Sequence, residues 1–133
     1  MVALKKMFPH ETQKAFQVLC EVLRRVSDLG PRLEELPGDI GKMLEDVATN
    51  AFSDVCHALT EDQGGALGYA IENVEMAGAC LEAVRVLGHL GDSEYGRIRQ
   101  LLLDARDLLE DMYQEAQKQS CKMCELIEED QPS

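Results

Sequence analysis

Three pairs of side chains have the types and spacing of chemical sites. Cys121 and Cys124, in SCKMCE, are spaced C-x-x-C, as in redox dithiols and in half of a structural zinc site. Asp54-x-x-His57 and Glu72-x-x-Glu75 each set two metal-ligating groups about one helical turn apart. A dithiol is activated at a helix N-terminus, where the dipole favours the thiolate. Cys121 and Cys124 come near the end of the longest helical pattern, beside Glu125, Glu128 and Glu129, which disfavour it. A structural zinc needs four ligands, and no second C-x-x-C or H-x-x-x-H completes one, although a neighbouring subunit could bring another pair. A di-iron bundle needs two Glu-x-x-His pairs and two further Glu, and a second His pair is missing. There is no phosphate loop, no G-x-S-x-G and no triad. The expectation is a non-enzymatic chain with no catalytic residue, cofactor or metal. A metal-dependent enzyme using Asp54, His57, Glu72 or Glu75 ranks behind.

The elements that carry these residues read as helices. Ala15, Leu19, Val22, Val26 and Leu29 recur at spacings of three and four, predicting a helix over 10–29. Gly30-Pro31 is expected to stop it, with Gly30 as a left-handed cap. Ile40, Met43, Leu44, Val47, Ala51, Val55 and Leu59 predict a second helix over 38–59. Leu67, Ala70, Ile71, Val74, Ala77, Leu81 and Val84 predict a third over 66–87. The fourth starts near Ser93, capped by Asp92 or Ser93, and runs past Gln119. Ile98, Ala105, Met112, Gln119 and Leu126 hold a seven-residue spacing, as do Leu102, Leu109, Ala116 and Met123. Long helices with short connections predict an all-α, single-domain, up-down-up-down antiparallel four-helix bundle. It spans 10–125, after an N-terminal arm at 1–9 and before an acidic flexible tail at 126–133.

The chain has 133 residues and a formal net charge of −12. That charge disfavours nucleic acid, whose phosphates require a basic surface. The exception is local: residues 1–32 hold six basic and three acidic side chains. Arg24, Arg25 and Arg32, with Lys5 and Lys6, are therefore the candidate contacts if the chain binds RNA or DNA. There is no apolar run long enough for a membrane span and no secretory core at the N-terminus. A cytoplasmic protein is expected, with its five cysteines as thiols. Cys20, Cys56 and Cys80 fall within helices and are expected to be buried. His10 and His89 fall at helix ends or turns and are expected at the surface.

One turn carries a family resemblance. LGHLGDSEY, Leu87 to Tyr95, ends one helix in Leu-Gly and opens the next on an acidic segment closing in Tyr. Leu36-Pro37 precedes the second helix, and Glu75 stands in mid-helix in the third. The chain thereby resembles the bacterial four-helix-bundle proteins related to the large-subunit ribosomal RNA intervening-sequence proteins, over roughly residues 10–118. VATNAFSDVCHAL, Val47 to Leu59, falls where that family reads Ala-Val-Ser-Ile-Pro-Ser-Asn-Ile-Ala-Glu-Gly. Phe52 replaces the Pro, Asp54 the Asn, and His57 and Ala58 the Glu-Gly. The resemblance implies a compact bundle of a kind that often assembles as a ring, pentameric in some relatives. Some members are nucleic-acid-binding accessory proteins of retroelements, but those look basic and this chain is acidic.

Two apolar residues lie off the core stripes: Phe52, between polar neighbours, and Tyr69. A helix apolar over more than one stripe is buried on two sides, in a core and in an interface. Phe52, Asp54, His57 and Tyr69 are the candidate oligomer or partner contacts. The expected function is self-assembly into a symmetric homo-oligomer, with the nucleic-acid accessory role as the alternative.

Overall fold

The computed structural model describes residues 13–61, 64–88 and 90–130, with residues 119–130 described as helix backbone. The elements are α1 (Lys14–Asp28), α2 (Gly30–Glu34), a 3-10 turn (Pro37–Asp39), α3 (Ile40–Glu61), α4 (Gly64–Val86) and α5 (Asp92–Asp130). No strand occurs among the described residues. No helix among them is long and apolar enough to cross a membrane. The predicted arm at 1–9, with Lys5 and Lys6, lies outside the described residues, as do His10 and His89.

The four long helices follow their apolar periodicity, and each buries one stripe. From α1 come Leu19, Val22 and Val26; from α3, Leu44, Ala48, Ala51 and Val55. From α4 come Ala70, Val74, Ala77, Leu81 and Val84; from α5, Ile98, Leu102, Ala105 and Leu109. Extensive packing joins α1 to α3, α3 to α4, α4 to α5, and α5 back to α1. That closed circuit around one core is compatible with a helical bundle. No polar or charged residue is buried among the described ones, so apolar burial drives the packing.

Local chemistry departs from expectation at the ends. Gly30 is not a left-handed cap. Leu29 stays in the helical region, and Gly30-Pro31 opens the short helix α2, where a first-turn Pro gives up only an unused N–H. Leu33 and Leu36 on this segment reach the core. The second long helix starts at Ile40 rather than Gly38, after left-handed backbone at Gly38 and Asp39. The true left-handed helix stop is Gly88, φ 78°, with its N–H donating to the Arg85 carbonyl at 2.9 Å. Met43 is not in the core: it is 48% exposed, and Ala48 faces inward in its stead. The backbone of the fourth helix is helical to Asp130.

Helix α5 has 39 residues, about 58 Å at 1.5 Å per residue. Tyr113 faces Gly68, a turn after α4 begins. The backbone beyond about residue 118 therefore outruns α4. Cys121 and Cys124 belong to this overhang, in helix interior. Their side chains, with those of Gln119, Met123 and Leu126, lie outside the described residues.

Candidate functional site

The residues singled out for metal chemistry do not converge. Asp54 is half-buried and accepts a hydrogen bond from Asn73 Nδ2 at 2.8 Å, tying α3 to α4. His57 follows on the solvent-facing side of α3, and Glu72 and Glu75 are exposed on α4. Among the described residues, no three His, Cys, Asp or Glu side chains gather closely enough to hold a metal ion.

The candidate nucleic-acid arginines each face a carboxylate. Arg24 donates to Glu21 at 2.6 and 3.0 Å, Arg25 to Glu21 at 2.9 Å, and Arg32 to Glu94 at 2.9 and 3.1 Å. The hydrogen bond from Arg24 lowers the pKa of Glu21, and that from Arg32 lowers the pKa of Glu94. Arg32 and Glu94 sit 62 positions apart and clamp α2 to the start of α5. These partners partly neutralise the basic face before any phosphate arrives.

Phe52 is not an exposed contact. It is half-buried, its ring 5.2 Å from that of Phe16 and tilted by 40°, sealing the α1–α3 seam. Tyr69, by contrast, is 65% exposed, and it has company. Met76 is 51% and Val86 75% exposed on the same helix. Tyr69, Met76 and Ala83 form one seven-residue row on α4, and Glu72, Ala79 and Val86 a second. Rows at these positions lie side by side, as in a coiled-coil seam. The opposite side of α4 carries Ala70, Val74, Ala77, Leu81 and Val84 into the core. Helix α4 is thus apolar on two sides, and Glu72 is the single charge in the outward rows. The sequence reading found Tyr69 but not Met76, Ala79, Ala83 or Val86. The same heptad count that marked α5 also finds them.

A second feature lies between α4 and α5. An open hollow of about 460 Å³ has Val74, Leu102 and Leu103 as its apolar wall, and Glu75, Arg99 and Arg106 among its charged ones. At one end Tyr95 donates its hydroxyl proton to Glu82, while the Arg85 guanidinium lies 4.5 Å over the Tyr95 ring. Arg85 also approaches Glu82 at 3.6 Å and Asp92 at 3.7 Å. The first turn of α5 is therefore fastened to the end of α4.

Three described cysteines are free thiols. Cys80 is buried, Cys56 half-buried and Cys20 exposed, so the expected burial does not extend to Cys20. Desolvation pushes all three thiols up, and the nearby Cys56 pushes Cys20 further. None has the electropositive setting that makes a reactive thiolate. No family model matches this chain, and no curated protein or solved structure matches it.

Proposed function

We propose that this chain is a non-enzymatic, up-down-up-down antiparallel four-helix bundle that self-associates into a symmetric homo-oligomer through the outward face of α4. The observation that carries the reading is the double-sided apolar character of α4, with Tyr69, Met76 and Val86 left in solvent. Antiparallel neighbours are supported by the contacts. Arg32, past the end of α1, meets Glu94 at the start of α5, and Tyr95 meets Glu82 near the end of α4.

Charge argues for a second copy as the occupant. At a net −12, two copies repel over most of their surfaces. They approach at least cost where charge is sparse, and the α4 rows hold only Glu72. The outer side of α5, with Asp104, Asp107, Glu110 and Asp111, is a poor alternative. The resemblance at Leu87–Tyr95 sets the expected subunit number at five in a closed head-to-tail ring. We place the chain in the cytoplasm, in keeping with the free thiols at Cys20, Cys56 and Cys80.

Light scattering of the purified chain over a concentration series tests this. The parent should run as a closed multimer. Met76→Glu should shift it towards monomer, because burying a carboxylate without a partner costs several kcal/mol in each interface. A monomeric parent sinks the proposal, as does a Met76→Glu mass equal to the parent's. The nucleic-acid alternative predicts retention of RNA or DNA at low salt that falls steeply as salt rises.

A further inference from the structure

We infer that the hollow between α4 and α5 binds a small zwitterion, an α-amino acid with an apolar side chain. Three charged side chains face the hollow without closing on one another. Among the described residues, Arg99 and Glu75 make no ion pair or hydrogen bond, and Arg106 has only a 3.7 Å approach from Nη2 to its neighbour Asp107. By contrast, Arg24, Arg25, Arg32 and Arg85 all hold carboxylates.

The Arg106 side chain is 39% exposed along the hollow, so its terminal guanidinium nitrogens, rather than the shielded Nε, are the donors open to an acceptor there. Guanidinium groups match a planar carboxylate, and two of them line this space. A doubly charged anion is disfavoured because Glu75 shares the hollow. Glu75 instead suits an ammonium. Both complementary charges, beside the Val74, Leu102 and Leu103 wall, describe one ligand class.

The space is real and reaches the backbone of α4. Gly78 lies in the wall, and a Cβ added there would meet nothing within 4 Å. The volume, about 460 Å³, falls in the range of small-molecule sites. The Glu82–Tyr95–Arg85 contacts hold one end, so Glu82 is already engaged and Glu75 is left for the ligand. This site does not depend on self-association, because it faces α5 rather than the outward rows of α4.

Titration calorimetry with L-leucine on the full chain is the test. L-leucine should give saturable heat. 4-Methylpentanoate, which lacks the ammonium, and 3-methylbutylamine, which lacks the carboxylate, should each bind at least about tenfold more weakly. Gly78→Leu fills the hollow with a better helix former; it should keep the fold and abolish the heat. Arg106→Gln should weaken binding at least about tenfold. Amide-shift mapping on the parent chain needs no variant, and its largest changes should fall at 74–78 and 99–106. No saturable heat by about 10 mM overturns the assignment. So does a deaminated analogue that binds as well as L-leucine, a folded Gly78→Leu that binds like the parent, or shifts centred elsewhere.

Discussion

Replacing Gly41 by Ala should destabilise the fold, although Ala is the better helix former. Gly41 sits in the first turn of α3, where α2 crosses. A Cβ there would stand 2.7 Å from the Leu33 Cβ and 2.8 Å from the Leu33 carbonyl carbon, and closer still to the carbonyl oxygen. Carbon atoms pack best at about 3.5–4.0 Å, so α2 must lift by nearly an ångström. The clashing atoms are backbone and Cβ, so no change of rotamer relieves them. Lifting α2 loosens Leu33 and Leu36, both in the core. Overpacking of this kind costs about 1–3 kcal/mol. The Ala propensity in the helix offsets roughly 0.5–1 kcal/mol of that. Three Leu33 atoms lie closer than 3.0 Å, which puts the clash at the upper end, so the net loss is about 2 kcal/mol, a fall of roughly 7 °C in Tm. Urea unfolding followed by circular dichroism should show a lower midpoint at unchanged slope. Gly96→Ala is the control: its Cβ would meet nothing within 4 Å, and stability should rise by about 0.5–1 kcal/mol. A Gly41→Ala chain as stable as the parent, beside a stabilised Gly96→Ala, would falsify the seating of α2 on α3.

Two further outcomes follow from the charges and thiols. The Arg32–Glu94 pair should couple only weakly in a double-mutant cycle, because both side chains are about half exposed. Glu94 is held below the usual carboxylate value, so its contribution is complete above that ordinary value and is lost as pH falls through the lowered one. Coupling that does not weaken as pH falls below the ordinary Glu range would refute the pairing. Among the described thiols, Cys20 should alkylate first in the folded chain, and more slowly than a free thiol at neutral pH, since its pKa is raised. Cys80 should react only on unfolding; mass mapping that finds Cys80 modified alongside Cys20 would contradict its burial.

Much of the helical layout was legible because amphipathic periodicity is local. The stripes in α1 and α4 read from spacings of three and four and that in α5 from a seven-residue spacing; the core contains the whole α1 stripe, all of the α4 stripe but Ile71, and Ile98, Leu102, Ala105 and Leu109 of α5. Met43 was misread because both Met43 and Leu44 fit an apolar stripe on α3, and only packing decides which one turns inward. Gly30-Pro31 was misread because the same dipeptide can end one helix or open another. The outcome depends on whether the next turn, with Leu33, finds a core to enter.

The candidate site was less legible. Phe52 and Tyr69 look alike in sequence, each an aromatic just off its helix's core stripe. Phe16 covers one, and no described side chain covers the other enough to bury it. Arg24, Arg25 and Arg32 look like a basic cluster. For Arg24 and Arg25 the partner, Glu21, could be found at helical spacing; for Arg32 it lies 62 positions away.

The sequence by itself determined that the chain is helical, where the long helices run, and which stripe of each is apolar enough to bury. Those follow from chain-local periodicity and from the cost of leaving apolar area in water. Only the tertiary structure decided that α4 keeps a second apolar face in solvent, and that Glu75, Arg99 and Arg106 share one hollow without pairing with one another. Both depend on which helix lies beside which, and on the gap Gly78 leaves between α4 and α5, distances that no spacing along the chain encodes.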